Sequence, residues 1–287
     1  MNAIECHDLT KAYRGFTLDH LTFSLPAGCI LGLVGENGAG KSTTLKLLMN
    51  AISRDEGQVS LLGVDNQSPE FLQTKQDIGV VLDEAHFPEV LTVRELRRVL
   101  AGTYRNWDGE AFQGWLRRFD LPEKKAFKNF SRGMKMKLAI AAALSHRPKL
   151  LLLDEATAGL DPIVRDEILE VFAEFTRDEG HSILICSHIV SDLEKLCDYV
   201  AFLHQGRLLF CEEKDRLTEC CAVVRLPARE IGALPENAVL ARRRNGLAAE
   251  LLVRRDALPR GFTAERTTLE EIVLLLSASA ETKEKIV

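Results

Sequence analysis

The sequence predicts a layered α/β fold around a parallel sheet, and three features carry that expectation. Short apolar segments, Cys29 to Val34, Lys149 to Asp154 and Ser182 to Cys186, alternate with stretches of helical spacing. Four consecutive leucines, Leu150 to Leu153, mark a strand covered on both faces, as strands of parallel sheets are. A glycine-rich run from Gly35 to Gly40 stands between one such strand and a helix.

Taken in order, Cys29 to Val34 is a buried strand, and a helix follows from Ser42 with Leu45, Leu47, Leu48 and Ile52 near helical spacing. Gln58 to Leu62 reads as a further strand after Gly57. Between Glu84 and Phe130 the pattern turns helical, with Val93 to Tyr104 and Glu110 to Phe119 as the two helices of an insertion. Asp161 and Pro162 supply an N-cap and a proline at the first helical position, and Val164, Ile168, Val171, Phe172 and Phe175 trace one apolar face behind them. Ser182 to Cys186 is a short strand, Ile189 to Leu196 a helix, and Val200 to His204 with Arg207 to Phe210 a hairpin around Gln205-Gly206. Past Leu217 the chain reads as short strands, among them Ala238 to Arg243 and Leu247 to Val253 flanking Asn245-Gly246. Thr268 and Glu271 then form a capping box for a closing helix. The expected division is 1–217, with a helical part about 84–133, and a small domain at 218–287.

Composition narrows the function. The chain has 287 residues, 46% of them hydrophobic, and a formal net charge of −5. That is too apolar for disorder, and its longest apolar run, Leu138 to Leu144, is far short of the roughly 20 residues of a membrane helix. The N-terminus has no secretory pattern, so a cytoplasmic protein is expected. Seven cysteines without a C-x-x-C pair read as reduced thiols. Mild acidity speaks against nucleic acid as a partner.

The strongest chemical signal is Gly35-Glu36-Asn37-Gly38-Ala39-Gly40-Lys41-Ser42-Thr43, a G-x-x-x-x-G-K-[ST] loop between strand and helix. Glycines let successive N–H groups turn inward at a positive helix terminus, Lys41 reaches the β- and γ-phosphates, and the Ser42 hydroxyl ligates Mg²⁺. Asp154 ends an apolar strand as the metal-side acid, and Glu155 is the candidate general base. Ser131 is a candidate N-cap for the helix carrying Leu138 to Leu144, which makes that helix start a second anion site with the Gly133 N–H.

With Phe130-Ser131-Arg132-Gly133-Met134-Lys135 placed ahead of the Leu150 strand, the sequence resembles an ABC transporter ATP-binding subunit of the bacterial, ABC-2 exporter-like kind, from about Ile4 to Leu217. The resemblance implies a P-loop NTPase cassette, with a RecA-like core, an antiparallel β part and a helical subdomain, followed here by a small α+β domain. It implies that Tyr13 stacks on adenine, that Ala158-Gly159-Leu160-Asp161 is the D-loop and that His188 contacts the γ-phosphate. Through Ser131, Arg132 and Gly133 the signature would meet ATP held by a second subunit, in a homodimer or heterodimer that sandwiches two ATP molecules with Mg²⁺. The resemblance also implies a separate integral membrane subunit, received in a groove for which Phe87, Pro88, Val90, Leu91 and Trp107 are candidates. The chain would then sit peripherally on the inner face of the cell membrane. Departures from the family pattern are Arg132 and Met134 in the signature and Asp83, as a metal-side residue, where a glutamine is usual. A soluble ABC-type ATPase and a regulatory nucleotide-binding module are the alternatives.

Overall fold

The computed structural model describes residues 1–84 and 86–279; position 85 of the helical insertion and 280–287 of the C-terminal unit lie outside the described residues. The chain opens with β1 (Asn2–Tyr13) and β2 (Phe16–Pro26), continues through β3 (Ile30–Val34) and α1 (Lys41–Leu48), and adds β4 (Glu56–Leu61) and β5 (Val64–Asp65). After α2 (Phe71–Thr74) come β6 (Ile78–Val81), α3 (Val93–Thr103), α4 (Gly109–Arg118), α5 (Arg132–Leu144), β7 (Leu150–Asp154) and α6 (Pro162–Phe175). Then follow β8 (Ser182–Ser187), α7 (Val190–Leu196), β9 (Tyr199–His204), β10 (Arg207–Glu213), α8 (Lys214–Cys220), β11 (Cys221–Pro227), β12 (Val239–Asn245), β13 (Ala248–Arg254) and α9 (Leu269–Ala278).

These elements form three sheets: a four-stranded antiparallel one ordered β2-β1-β4-β5, a six-stranded one ordered β10-β9-β3-β8-β7-β6, and a three-stranded one ordered β11-β13-β12. In the central sheet β9, β3, β8, β7 and β6 run parallel and β10 closes the edge antiparallel. Residues of β3, β7 and β8 are buried throughout, as the leucine run anticipates. Each such leucine contributes roughly 1.5–3 kcal/mol of burial.

Register fixes where the chemistry lies. Val34 pairs with Ser187 and Asp154 with Cys186. Gly35, Glu155 and His188 therefore leave the carboxyl ends of three adjacent parallel strands side by side, where open α/β sheets bind ligands.

The helical insertion consists of α3 and α4. Thr92 and Glu95 form a capping box at α3, and Asp108 caps α4 by accepting from Glu110 N (3.0 Å) and Ala111 N (2.9 Å). Both helices bury one face, Val93, Leu96 and Leu100 on one and Phe112 and Leu116 on the other.

Several boundaries move. The first helix starts at Lys41, with Gly40 at φ 114° as its cap. Turn geometry at β12–β13 also differs: Asn245 pairs with Ala248, so Gly246 and Leu247 are the turn residues. Gly246, at φ 61°, takes the left-handed position such a two-residue turn requires. The hairpin at Gln205-Gly206 is as expected, His204 pairing with Arg207. The expected division between 217 and 218 falls inside α8, and Leu217, Cys221, Leu252 and the α9 residues Leu269, Ile272 and Leu276 share one buried cluster with Ile185 and Leu193. A second cluster, including Val224, Leu251 and Val253, lies on the other face of the small sheet.

Candidate functional site

The phosphate loop is built by close backbone approach. A Cβ on Gly35 would lie 2.4 Å from the Leu203 carbonyl oxygen, and Gly40, at φ 114°, leaves no room beside Leu18 and Phe16. The β9–β10 turn braces the loop from behind, Gly206 N donating to Ala39 O (3.0 Å). Lys41 is 5% exposed, and its Nζ donates to Gly35 O (2.7 Å) and Glu36 O (3.2 Å). An ammonium so buried needs an anion, and the Glu155 carboxylate supplies one, Oε1 lying 3.3 Å from Nζ.

Glu155 is held by its hydrogen bonds in a left-handed backbone conformation. Its φ is +50°, its amide donates to Cys186 O (2.9 Å), and its Oε2 lies 2.8 Å from Nδ1 of His188. The His188 amide points at the same oxygen (3.4 Å). Lys41, Glu155 and His188 thus form one polar chain across the ends of β3, β7 and β8.

Asp154 is 5% exposed, and its Oδ1 is buried without a hydrogen-bond partner among the described residues. Burial pushes its carboxyl above the ordinary aspartate value; a hydrogen bond from Ser42 opposes the shift, Asp83 and Glu155 add to it, and Lys41 opposes it. A buried carboxylate with one unpartnered oxygen and a serine hydroxyl beside it suits a divalent cation. Among the described residues no group of three His, Cys, Asp or Glu side chains could hold a metal unaided. Mg²⁺ fits that pattern, being bound through one or two protein ligands with substrate phosphates and water.

A cavity of about 290 Å³ is lined by Phe16, Asn37, Gly38, Gly40, Lys41, Ser42, Thr43, Asp83 and Glu155. It joins the phosphate loop, the candidate base and Asp83; Asp83 also accepts from Glu84 N (2.8 Å). Tyr13 is 47% exposed at the end of β1, with Lys11 over its ring, and does not line this cavity. Phe16, its register partner across the turn, does. An aromatic three residues beyond Tyr13 was the available signal.

Ser131, Arg132, Gly133 and Asp161 lie elsewhere, along a cleft of about 270 Å³ that also contains Gly159. Ser131 Oγ accepts from Met134 N (3.3 Å) and Asp161 Oδ1 from Val164 N (3.1 Å), so both are the expected N-caps. Arg132 lies against Gly159, with Cζ 3.0 Å from where a Cβ would stand. A third, larger groove of about 620 Å³ runs past Asp83, Phe87, Pro88, Phe127 and Arg132. Phe87 and Pro88 line it as expected. Val90, Leu91 and Trp107 do not line it, and the Trp107 ring packs 5.1 Å from that of Phe112, inside the insertion. Elsewhere, His146 stacks on Tyr104 and His181 on Phe175, whereas His204 Nδ1 lies 3.2 Å from the Glu36 carboxylate of the phosphate loop.

A glycine-rich loop between a parallel strand and a helix, with a lysine opening that helix and a buried aspartate and a glutamate at the end of a strand of the same sheet, defines a P-loop nucleotide-binding protein. Comparison with known proteins narrows the class. The family model for ABC transporters matches residues 18–158. The bacitracin transport ATP-binding protein BcrA of Bacillus licheniformis is 37% identical over 213 residues, 72% of this chain and 68% of the relative. The lantibiotic transport ATP-binding protein SrtF of Streptococcus pyogenes is 33% identical, over 74% of this chain and 91% of its own. A solved ATP-binding subunit of an ABC transporter superposes with a TM-score of 0.68 at 29% identity, covering 76% of this chain and 92% of that one. An ATP-binding cassette bound to ADP and Pi, 21% identical, shares the fold with a TM-score of 0.65, over 73% and 98% of the two chains. The chain belongs to the ABC transporter family, as a nucleotide-binding subunit and an ATPase that powers a transporter.

Proposed function

We propose that the chain binds Mg-ATP, pairs head to tail with a second cassette, either a copy of itself or a related chain, and hydrolyses ATP to drive export through a separate membrane-spanning subunit at the inner face of the membrane. The observation that carries the catalytic part is the polar chain from Lys41 through Glu155 to His188, beside the orphaned Oδ1 of Asp154. Without nucleotide, Lys41 Nζ donates to Gly35 O and Glu36 O and has the Glu155 carboxylate as its counter-charge. An incoming γ-phosphate is the better partner, and its arrival would free Glu155 to orient and deprotonate water. His188 would hold Glu155 through Nδ1 and present its remaining ring nitrogen to the γ-phosphate.

Ser42 and Asp154, with Asp83 beside them, would hold Mg²⁺, which when bound neutralises phosphate charge. Tyr13 would stack on adenine beyond the phosphate cavity, whose near wall is Phe16. Ser131, Arg132, Gly133 and Asp161 lie in a different cleft from the phosphate loop, and this separation supports a site completed by a second cassette. No helix among the described residues is long and apolar enough to cross a membrane, so the proposal includes a separate spanning chain, docked where Phe87 and Pro88 line the large groove. Residues 218–287 would be an accessory domain. Relatives whose names include bacitracin and lantibiotic transport favour an exporter; the cargo would be selected by the membrane subunit.

Sedimentation of Glu155→Gln with and without Mg-ATP tests the dimer: the reading expects a nucleotide-dependent shift from monomer to dimer. A sedimentation profile unchanged by Mg-ATP at saturating binding would overturn it.

A further inference from the structure

Behind the catalytic pair, a second polar cluster ties together the three segments that leave it. Asp192 on α7 is 1% exposed, with one carboxylate oxygen accepting from the Thr157 hydroxyl (2.7 Å) and the other from Nε of Arg165 (2.6 Å). Nη2 of Arg165 also pairs with this carboxylate and donates to Ser191 Oγ (2.9 Å). The amide of Asp192 donates to Ile189 O (3.2 Å), closing the turn beside His188.

Each partner comes from a segment with a role in the proposed chemistry. Thr157 stands two residues beyond Glu155. Arg165 is in the first turns of α6, its amide donating to Asp161 O (3.0 Å). Asp192 lies four residues beyond His188. A carboxylate this buried is costly once a partner is withdrawn, so the three segments are held as a unit rather than free to slide independently. None of these side chains lines the phosphate cavity; the cluster acts on that site only through Glu155, Asp161 and His188.

We propose that Asp192 is a positioning residue for hydrolysis, locking the loop after Glu155, the helix after Asp161 and the helix after His188 into one body. A displacement of the Asp161 segment by a second cassette then carries Glu155 and His188 with it. The inference rests on the ATPase reading above.

The test compares Asp192→Asn, which keeps shape and removes charge, with Thr157→Val, which removes one donor, and Thr157→Ser, which keeps it. Turnover of Mg-ATP by the purified full chain is measured per folded molecule, with ATP affinity and thermal melting alongside. The expected result is a kcat at least about tenfold lower in Asp192→Asn and roughly threefold lower in Thr157→Val, with Thr157→Ser near wild type and KM within about twofold throughout. Wild-type kcat per folded Asp192→Asn, or equal loss in Thr157→Ser and Thr157→Val, overturns the proposal. If Asp192→Asn does not fold, the Thr157 pair decides alone. Glu155→Gln, run in parallel, separates the two levels: if it is inactive while Asp192→Asn and Thr157→Val run at wild-type rate, only this inference falls, whereas a fully active Glu155→Gln removes the ATPase reading beneath it.

Discussion

Glu155 and His188, thirty-three residues apart in sequence, share a 2.8 Å contact between Oε2 and Nδ1 at the ends of neighbouring parallel strands. The contact fixes which ring nitrogen of His188 faces Glu155 and leaves the other for the γ-phosphate contact proposed above. It also leaves the other Glu155 oxygen, Oε1, without a hydrogen-bond partner among the described residues, in ion-pair range of Lys41 Nζ at 3.3 Å.

Replacing the base should separate chemistry from binding. Glu155→Gln keeps the shape of the side chain and loses its basicity, so steady-state turnover should fall by at least about a hundredfold. ATP affinity, read by titration of a fluorescent analogue, should stay near wild type. Retained turnover would remove Glu155 from the role.

Lys41→Ala acts one step earlier. It removes a buried donor set aimed into the phosphate cavity, and charge-assisted hydrogen bonds of this kind contribute about 1.5–3 kcal/mol. Affinity should drop roughly tenfold to a hundredfold in the same titration; an unchanged affinity contradicts the phosphate-cradle reading.

Asp154→Asn should stabilise the nucleotide-free protein while abolishing Mg-dependent hydrolysis. The folded chain holds the Asp154 proton to higher pH than the unfolded chain, because burial raises this carboxyl above 3.8. Its cost to stability is therefore absent below that value and grows as pH rises through the raised one. Thermal melts from acidic to neutral pH should show wild type losing ground to Asp154→Asn as pH rises; parallel curves would contradict it.

Asp83 lies where the family pattern has glutamine, and it lines the phosphate cavity. Asp83→Gln should keep part of the transporter-coupled ATPase activity and Asp83→Ala should lose most of it. Equal, wild-type rates for both would reduce Asp83 to a loop carboxylate.

Gly206 supports the phosphate loop at a φ of +81°, and a Cβ there would lie 1.9 Å from the Thr17 carbonyl oxygen. Gly206→Ala should cost about 3 kcal/mol or more in denaturant unfolding. ATP affinity should fall with it, since Gly206 N holds Ala39 O.

What the sequence disclosed follows a physical divide. The central-sheet strands β3, β7 and β8 are buried on both faces and so appear as apolar runs. β1 and β2 are half-exposed and broken by register shifts, with Asp8 and His20 both at φ 49°, and their alternation is lost to a simple periodic reading. The Asp161 and Thr268 caps were legible because a helix N-cap is a local hydrogen bond. The phosphate loop was legible for a similar reason, its function residing in consecutive residues. Contacts that depend on tertiary closure were not: the choice of Phe16 over Tyr13 at the cavity, the Glu36–His204 pair and the Thr157–Asp192–Arg165 cluster join residues that no local spacing connects.

Energy supply to a separate membrane chain is the central claim, and affinity isolation of tagged Glu155→Gln from gently solubilised membranes in Mg-ATP, followed by mass spectrometry, tests it most directly. The account predicts a stoichiometric multi-span membrane protein that stays with the trapped dimer. Recovery of ribosomal proteins, nucleic acid or no partner would contradict it.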